Sequence, residues 1–156
     1  MTDLMQGNMA PEVSLPRDGG ETVTLSDLKG RKVVLYFYPR DDTSGCTKEA
    51  TGFTEAADAF AAAETVVLGV SKDTVAKHEK FRDKHDLGVA LLSDADGDVC
   101  ERYGVWVEKS MYGKTHMGIE RATFLIDPDG RIARVWRKVK VPGHVAEVLE
   151  AARALD

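Results

Sequence analysis

The chain has 156 residues, 43% hydrophobic and 30% charged, ordinary values for a single globular domain long enough to build a core. A net charge of −5 argues against a phosphate-backbone partner, so no nucleic acid is expected, and no apolar run approaches the ~20 residues that span a bilayer, so no membrane is expected. Residues 1–10 lack a cationic stretch followed by an apolar one, and two cysteines make no disulfide framework, which together point to a cytoplasmic protein.

From Pro11 to Leu25, apolar and polar residues alternate around Pro16 and Gly19-Gly20, which predicts a short hairpin or extended entry. Ser26 to Gly30 predicts one helical turn stopped by the glycine. Val33 to Tyr38 is continuously apolar, the mark of a strand covered on both faces, and Pro39 ends it. A helix is predicted from about Ser44 to Ala63, burying Ala50, Phe53, Ala57 and Phe60, with Thr43 as its N-cap. Thr65 to Ser71 is a second buried strand, completing a right-handed β-α-β unit.

Asp73 to His85 predicts an amphipathic helix, and Ala90 to Leu92 a further short strand. Ser93 to Asp98 places acidic residues at alternate positions, as a calcium loop would. The glycine comes too early, however, and Val105 stands where the bidentate Glu belongs, so the reading is a turn capping a helix from Asp98 to Tyr103. Gly104 to Glu120 has no sustained period and reads as a loop, whose Trp106, Met111, Tyr112 and Met117 either wall a pocket or bury the loop. Ala122 to Ile126, a Pro128-Asp129-Gly130 turn and Ile132 to Trp136 predict a hairpin, with a last helix after Pro142-Gly143. The basic run Arg134 to Lys140 alternates with Val and Trp and reads as the solvated face of a strand. The order β-α-β-α-β-α-ββ-α is α/β, a central mixed β-sheet flanked by helices, with an N-terminal extension and one domain over residues 1–156.

In such a sheet the active site lies beyond the carboxyl ends of the strands, where Cys46 falls in the first turn of its helix. Free N–H groups and the positive end of the helix dipole favour the thiolate. Lowering a thiol pKa by two units takes about 2.7 kcal/mol, whereas a helix terminus supplies roughly 0.3–1 and at most ~2. A cation must therefore come from elsewhere in the chain. His78, His85, His116 and His144 pair neither with one another nor with cysteine, so each reads as a surface or loop residue, and no metal and no cofactor are expected.

Pro39, Thr43 and Cys46 spell P-x-x-x-T-x-x-C, and with Y-F-Y-P-R-D-D-T-S-G-C-T-K-E and Arg121-Ala122-Thr123-Phe124-Leu125-Ile126-Asp127 the chain resembles the peroxiredoxin family, most closely its peroxiredoxin Q or bacterioferritin comigratory protein branch. The resemblance covers nearly the whole chain and implies a thioredoxin-like fold. It implies a thiol-dependent peroxidase that reduces hydrogen peroxide and organic hydroperoxides through a Cys46 sulfenic acid, in antioxidant defence. The family's arginine maps to Arg121, the candidate for the missing cation. Thr43 would orient the peroxide, Pro39 would shield the thiolate, and Glu49 would orient Arg121. Arg40 is a weaker cation candidate, since Asp41 and Asp42 read as its surface partners. Phe53, Trp106 and Met111 hint at tolerance of organic hydroperoxides.

Two positions depart from the branch pattern. Many members have a resolving cysteine five residues after the first, where this chain has Thr51, and commonly Pro where it has Ser44. Cys100, the only other cysteine, is the sole candidate to resolve Cys46, but beside Val99 and Tyr103 it reads as a buried core thiol. The expectation is a one-cysteine mechanism with thioredoxin, glutaredoxin or glutathione as reductant, in a monomer, with a weak dimer as the alternative. Two rivals are a dithiol-disulfide oxidoreductase, which the lack of C-x-x-C disfavours, and a thioredoxin-fold binding or holdase module without turnover.

Overall fold

The computed structural model describes residues 4–155, apart from the side chain of Met111. A small antiparallel hairpin, β1 (Ser14–Pro16) and β2 (Thr22–Thr24), opens the chain, and a 3-10 turn over Leu25–Leu28 leads to β3 (Lys32–Phe37). Then come α1 (Ser44–Glu55), α2 (Ala57–Ala62), β4 (Thr65–Ser71), α3 (Val75–His85), β5 (Ala90–Ser93) and α4 (Val99–Arg102). The remainder is β6 (Trp106–Met111), β7 (Lys114–Ile119), β8 (Ala122–Ile126), β9 (Ile132–Trp136) and α5 (His144–Ala154). Among the described residues, no helix is long and apolar enough to cross a membrane.

The main sheet runs β5-β4-β3-β8-β9. β3, β4 and β5 are parallel, and the β8–β9 hairpin adds antiparallel to β3, so the sheet is mixed and thioredoxin-like as expected. β3 lies at its centre. Val33, Leu35 and Phe37 face one core with Val99, Cys100 and Tyr103, while Val34, Tyr36 and Tyr38 face the other with Cys46, Ala50, Phe53 and Val148. The alternation of a strand thus puts the two cysteines on opposite faces of one sheet. Phe53 stacks on Tyr36 with ring centroids 4.6 Å apart, a burial worth roughly 1.5–3 kcal/mol, so it anchors α1 and is not at a substrate mouth.

Three expectations need correction. The helix from Ser44 to Ala63 is two helices, divided at Ala56. Gly104 to Glu120 is mostly a second hairpin, β6–β7, rather than a loop. Its two-residue turn places Tyr112 and Gly113 at φ 53° and 76°, both left-handed, and Tyr112 is 97% exposed at the tip. Finally, His78 and His144 are buried, not surface residues. His144 Nε2 shares a hydrogen bond of 2.8 Å with the Thr123 hydroxyl, and burial pushes its pKa down to about 4.

Candidate active site

Pro39 stops β3 and a polar loop carries the chain to α1, which begins one residue after Thr43. Thr43 occupies the N-cap position with extended backbone, but its side chain does not cap. The hydroxyl donates instead to the Arg40 carbonyl at 3.1 Å, inside the loop. Cys46 follows in the first turn and faces the sheet.

Arg121 stands just ahead of β8, the strand beside β3, and reaches over the start of α1. Its Nη2 donates to Cys46 Sγ at 3.3 Å, and its Nη1 donates to Glu49 Oε1 at 2.6 Å. One guanidinium fork thus holds a sulfur and a carboxylate from successive turns of one helix. The approach is close enough that a Cβ on Gly45 would lie 3.1 Å from Nη2, so the glycine in front of Cys46 clears the way for the arginine. That requirement escaped the sequence reading, although the S-G-C triplet carries its signal.

Cys46 is only 1% exposed and belongs to the core on the α1 side, but Arg121, itself paired with Glu49, brings a positive charge to its sulfur. Glu49 is fully buried, its Oε2 has no hydrogen-bond partner among the described residues, and burial raises its pKa to about 7 against the opposing pull of Arg121. Burial works against the charge of Arg121, but Glu49 and Cys46 outweigh it and hold the guanidinium firmly protonated.

Pro39 and Thr43 stand in the loop that precedes Cys46. They line an adjoining cleft of about 340 Å³ with Trp106, Lys109 and Met117 from the second hairpin. Of the four residues read as pocket wall or loop core, Trp106 and Met117 line this cleft, Tyr112 does neither, and the Met111 side chain lies outside the described residues. Lys109 was missed altogether. It lies along Gly118, and burial, then the Arg121 charge, lowers its pKa, while the Cys46 and Glu120 charges act the other way. The sequence offered no cue, since the segment carrying Lys109 had no period.

Arg40 pairs with neither predicted partner. Asp41 binds Tyr38 and His78, and Asp42 binds Lys84 and His85. Cys100 sits in the opposite core, fully buried and unpaired. Burial and the nearby Asp94 carboxylate, which accepts the Cys100 backbone N–H at 2.8 Å, push its thiol pKa far up.

The chain matches the AhpC/TSA family over residues 6–135. It is 57% identical over 143 residues to a Coxiella burnetii protein named putative peroxiredoxin bcp, covering 92% of this chain and 95% of that one. It is 50% identical over 150 residues to peroxiredoxin Bcp of Bacillus subtilis, covering 96% of each. Among solved structures, PrxQ of Xylella fastidiosa superposes with a TM-score of 0.93 at 39% identity, covering 99% of this chain and 98% of that one. The bacterioferritin comigratory protein of Xanthomonas campestris does so at 0.87 and 43%, covering 91% and 90%. With more than half its length matched by the family and these relatives aligned nearly end to end, the chain belongs to the AhpC/TSA family, among the peroxiredoxins of the Bcp or Q branch.

Proposed function

We propose that this peroxiredoxin is a thiol-dependent peroxidase whose reacting atom is Cys46 Sγ. The observation that carries the assignment is the 3.3 Å hydrogen bond from Arg121, a permanent cation held in place by Glu49. The Cys46 thiolate attacks one oxygen of the peroxide and the O–O bond breaks. The sulfur is oxidised to sulfenic acid, and the leaving oxygen takes a proton to become water or alcohol. Charge moves from sulfur to the leaving oxygen during this step, and a rigid guanidinium can serve both ends. Pro39 and Thr43, on the rim of the cleft, shield the sulfur and orient the peroxide. The Xanthomonas campestris relative is described by its alkyl peroxide reduction activity, and the apolar wall of Trp106 and Met117 suits organic as well as hydrogen peroxide.

Cys100 does not resolve the sulfenic acid in this reading. It faces the opposite core, and a disulfide needs Cα atoms within about 7 Å. An external thiol from thioredoxin, glutaredoxin or glutathione regenerates Cys46, and the protein works as a monomer. Stopped-flow reduction of hydrogen peroxide should be abolished in Cys46→Ser, kept within about twofold in Cys100→Ser and reduced by roughly a hundredfold or more in Arg121→Ala. Full activity in Cys46→Ser, or a Cys46–Cys100 linkage in non-reducing mass analysis after one equivalent of peroxide, would overturn the respective assignment.

A further inference from the structure

Outside the reacting cluster, a buried histidine is bonded to the loop between Pro39 and Thr43. His78, on α3, is fully buried. Its Nε2 lies 2.9 Å from the carbonyl oxygen of Leu92. A carbonyl can only accept, so this nitrogen carries a hydrogen. Its Nδ1 lies 2.6 Å from Asp41 Oδ2, a separation that also requires a proton between the two atoms. With Nε2 already protonated, either the ring is an imidazolium or Asp41 is a carboxylic acid.

The surroundings favour the first. The other carboxyl oxygen of Asp41 accepts from the Tyr38 hydroxyl at 2.6 Å, so both of its oxygens meet donor groups, the acceptor-only pattern of a carboxylate. The Asp41 backbone N–H donates to Asp73 Oδ2 at 2.8 Å, so main chain and side chain of this residue are both fixed. Asp41, Asp73 and His78 offer three potential ligand atoms within 4.8 Å of one another. Both His78 nitrogens and both Asp41 oxygens are nevertheless already bonded within the protein, which makes the cluster a closed network.

We propose that His78 is a positioning residue, held as an imidazolium paired with Asp41, and that this pair sets the Pro39–Thr43 loop for reaction at Cys46. The proposal rests on Cys46 being the reacting thiol. The next loop residue, Asp42, adopts φ 62° and is held by Lys84 and His85, so α3 grips the loop at two successive positions. Asp42 is 44% exposed in its side chain and contributes little, which leaves the buried pair as the anchor. The groups facing His78 are Asp41 in the loop, Tyr38 at the end of β3, Asp73 ahead of α3 and the Leu92 carbonyl in β5. Burial pulls the imidazolium pKa down, but the Asp41 bond and charge, Leu92 and Asp73 outweigh it and leave it above the ordinary histidine value. Above that pKa the neutral ring has one hydrogen for two acceptors, so it can no longer hold Asp41 and the Leu92 carbonyl together, and the link from the loop through His78 to β5 would be broken.

The test is ¹⁵N spectroscopy of the reduced protein together with the pH profile of the peroxide rate constant, for wild type, His78→Gln and Asp41→Asn. At pH 7 both His78 ring nitrogens should carry hydrogens. Both variants should react roughly tenfold or more slowly at neutral pH, the usual range for losing one charge-assisted hydrogen bond. The wild-type rate should fall on the alkaline side in step with the His78 titration, and His78→Gln should lack that limb. A bare His78 nitrogen at pH 7, a titration of His78 that leaves the wild-type rate unchanged, or variants within twofold of wild type would each overturn the proposal. If a variant does not fold, the two wild-type measurements decide alone. Turnover by Cys46→Ser would instead remove the assignment of the reacting thiol, and would leave the protonation state of His78 as found.

Discussion

Replacing Glu49 by Gln isolates the cost of burying a carboxylate one helical turn from Cys46. Burial raises Glu49 to about 7 from an ordinary value of 4.5, and the Arg121 contact recovers only part of that penalty. In the unfolded chain the carboxyl ionises at its ordinary value. Between the two values the folded protein keeps a proton that the unfolded chain releases, so this contribution is complete below pH 4.5 and is lost as pH rises through about 7. The interval corresponds to roughly 3 kcal/mol. Gln has nearly the same shape, keeps an acceptor for Arg121 Nη1 and cannot ionise. Urea unfolding of both reduced proteins at several pH values, taken as wild type minus Glu49→Gln, cancels every other titration. That difference should decline by roughly 3 kcal/mol between pH 4.5 and pH 8 and be flat above. Parallel profiles would refute the reasoning, because Glu49 would then ionise in the fold as it does in water. A kinetic consequence accompanies it. Below pH 7 the neutral Glu49 leaves the Arg121 charge to Cys46 alone, so the pH dependence of peroxide reduction near neutrality should differ between the two proteins.

Gly45→Ala should leave the fold intact and slow peroxide reduction by roughly ten- to a hundredfold, since its Cβ would press on Arg121 Nη2 at 3.1 Å; stopped-flow rates beside a thermal melt check this. Lys109→Met removes a cation whose charge acts on Cys46, and should lower the rate severalfold, with the larger effect at low salt. His144 is held neutral with its pKa lowered to about 4, so its contribution is present above pH 6.5 and is lost as pH falls through about 4. In His144→Gln the acid limb of the urea-stability profile should flatten by up to roughly 3 kcal/mol relative to wild type.

The βαβ half of the fold was legible because β3 and β4 are buried on both faces and so read as unbroken apolar runs. β6 and β7 left no such trace. Lys114 to Met117 in β7 are all exposed, so nothing in their composition repeats with the period of a strand. Their pairing depends on a turn at Tyr112-Gly113, where a tyrosine takes the left-handed position usual for asparagine or aspartate. Cap chemistry misled in the same way. Thr43 stands in the right place, but Thr74, ahead of α3, is the threonine whose side chain accepts a helix N–H, from Lys77 at 3.2 Å.

Within the site, Cys46 and Arg121 are 75 residues apart, and periodicity alone would never pair them; a short motif at each end did so through family resemblance. The Asp41–His78 pair had no such help. Arg40-Asp41-Asp42 is a charged run after a proline, and the physical default for such a run is a solvated loop whose charges satisfy one another. What reverses the default is the tyrosine before the proline. Tyr38 continues the alternation of β3 to the α1 face, and its hydroxyl donates to Asp41 Oδ1 at 2.6 Å, drawing that carboxylate inward. An inward carboxylate needs a cation, and His78 supplies one from the buried side of α3, leaving Arg40 exposed at the rim of the cleft. The direction of a charged side chain is thus decided by its apolar neighbour's register in the sheet, which no count of charges along the chain contains.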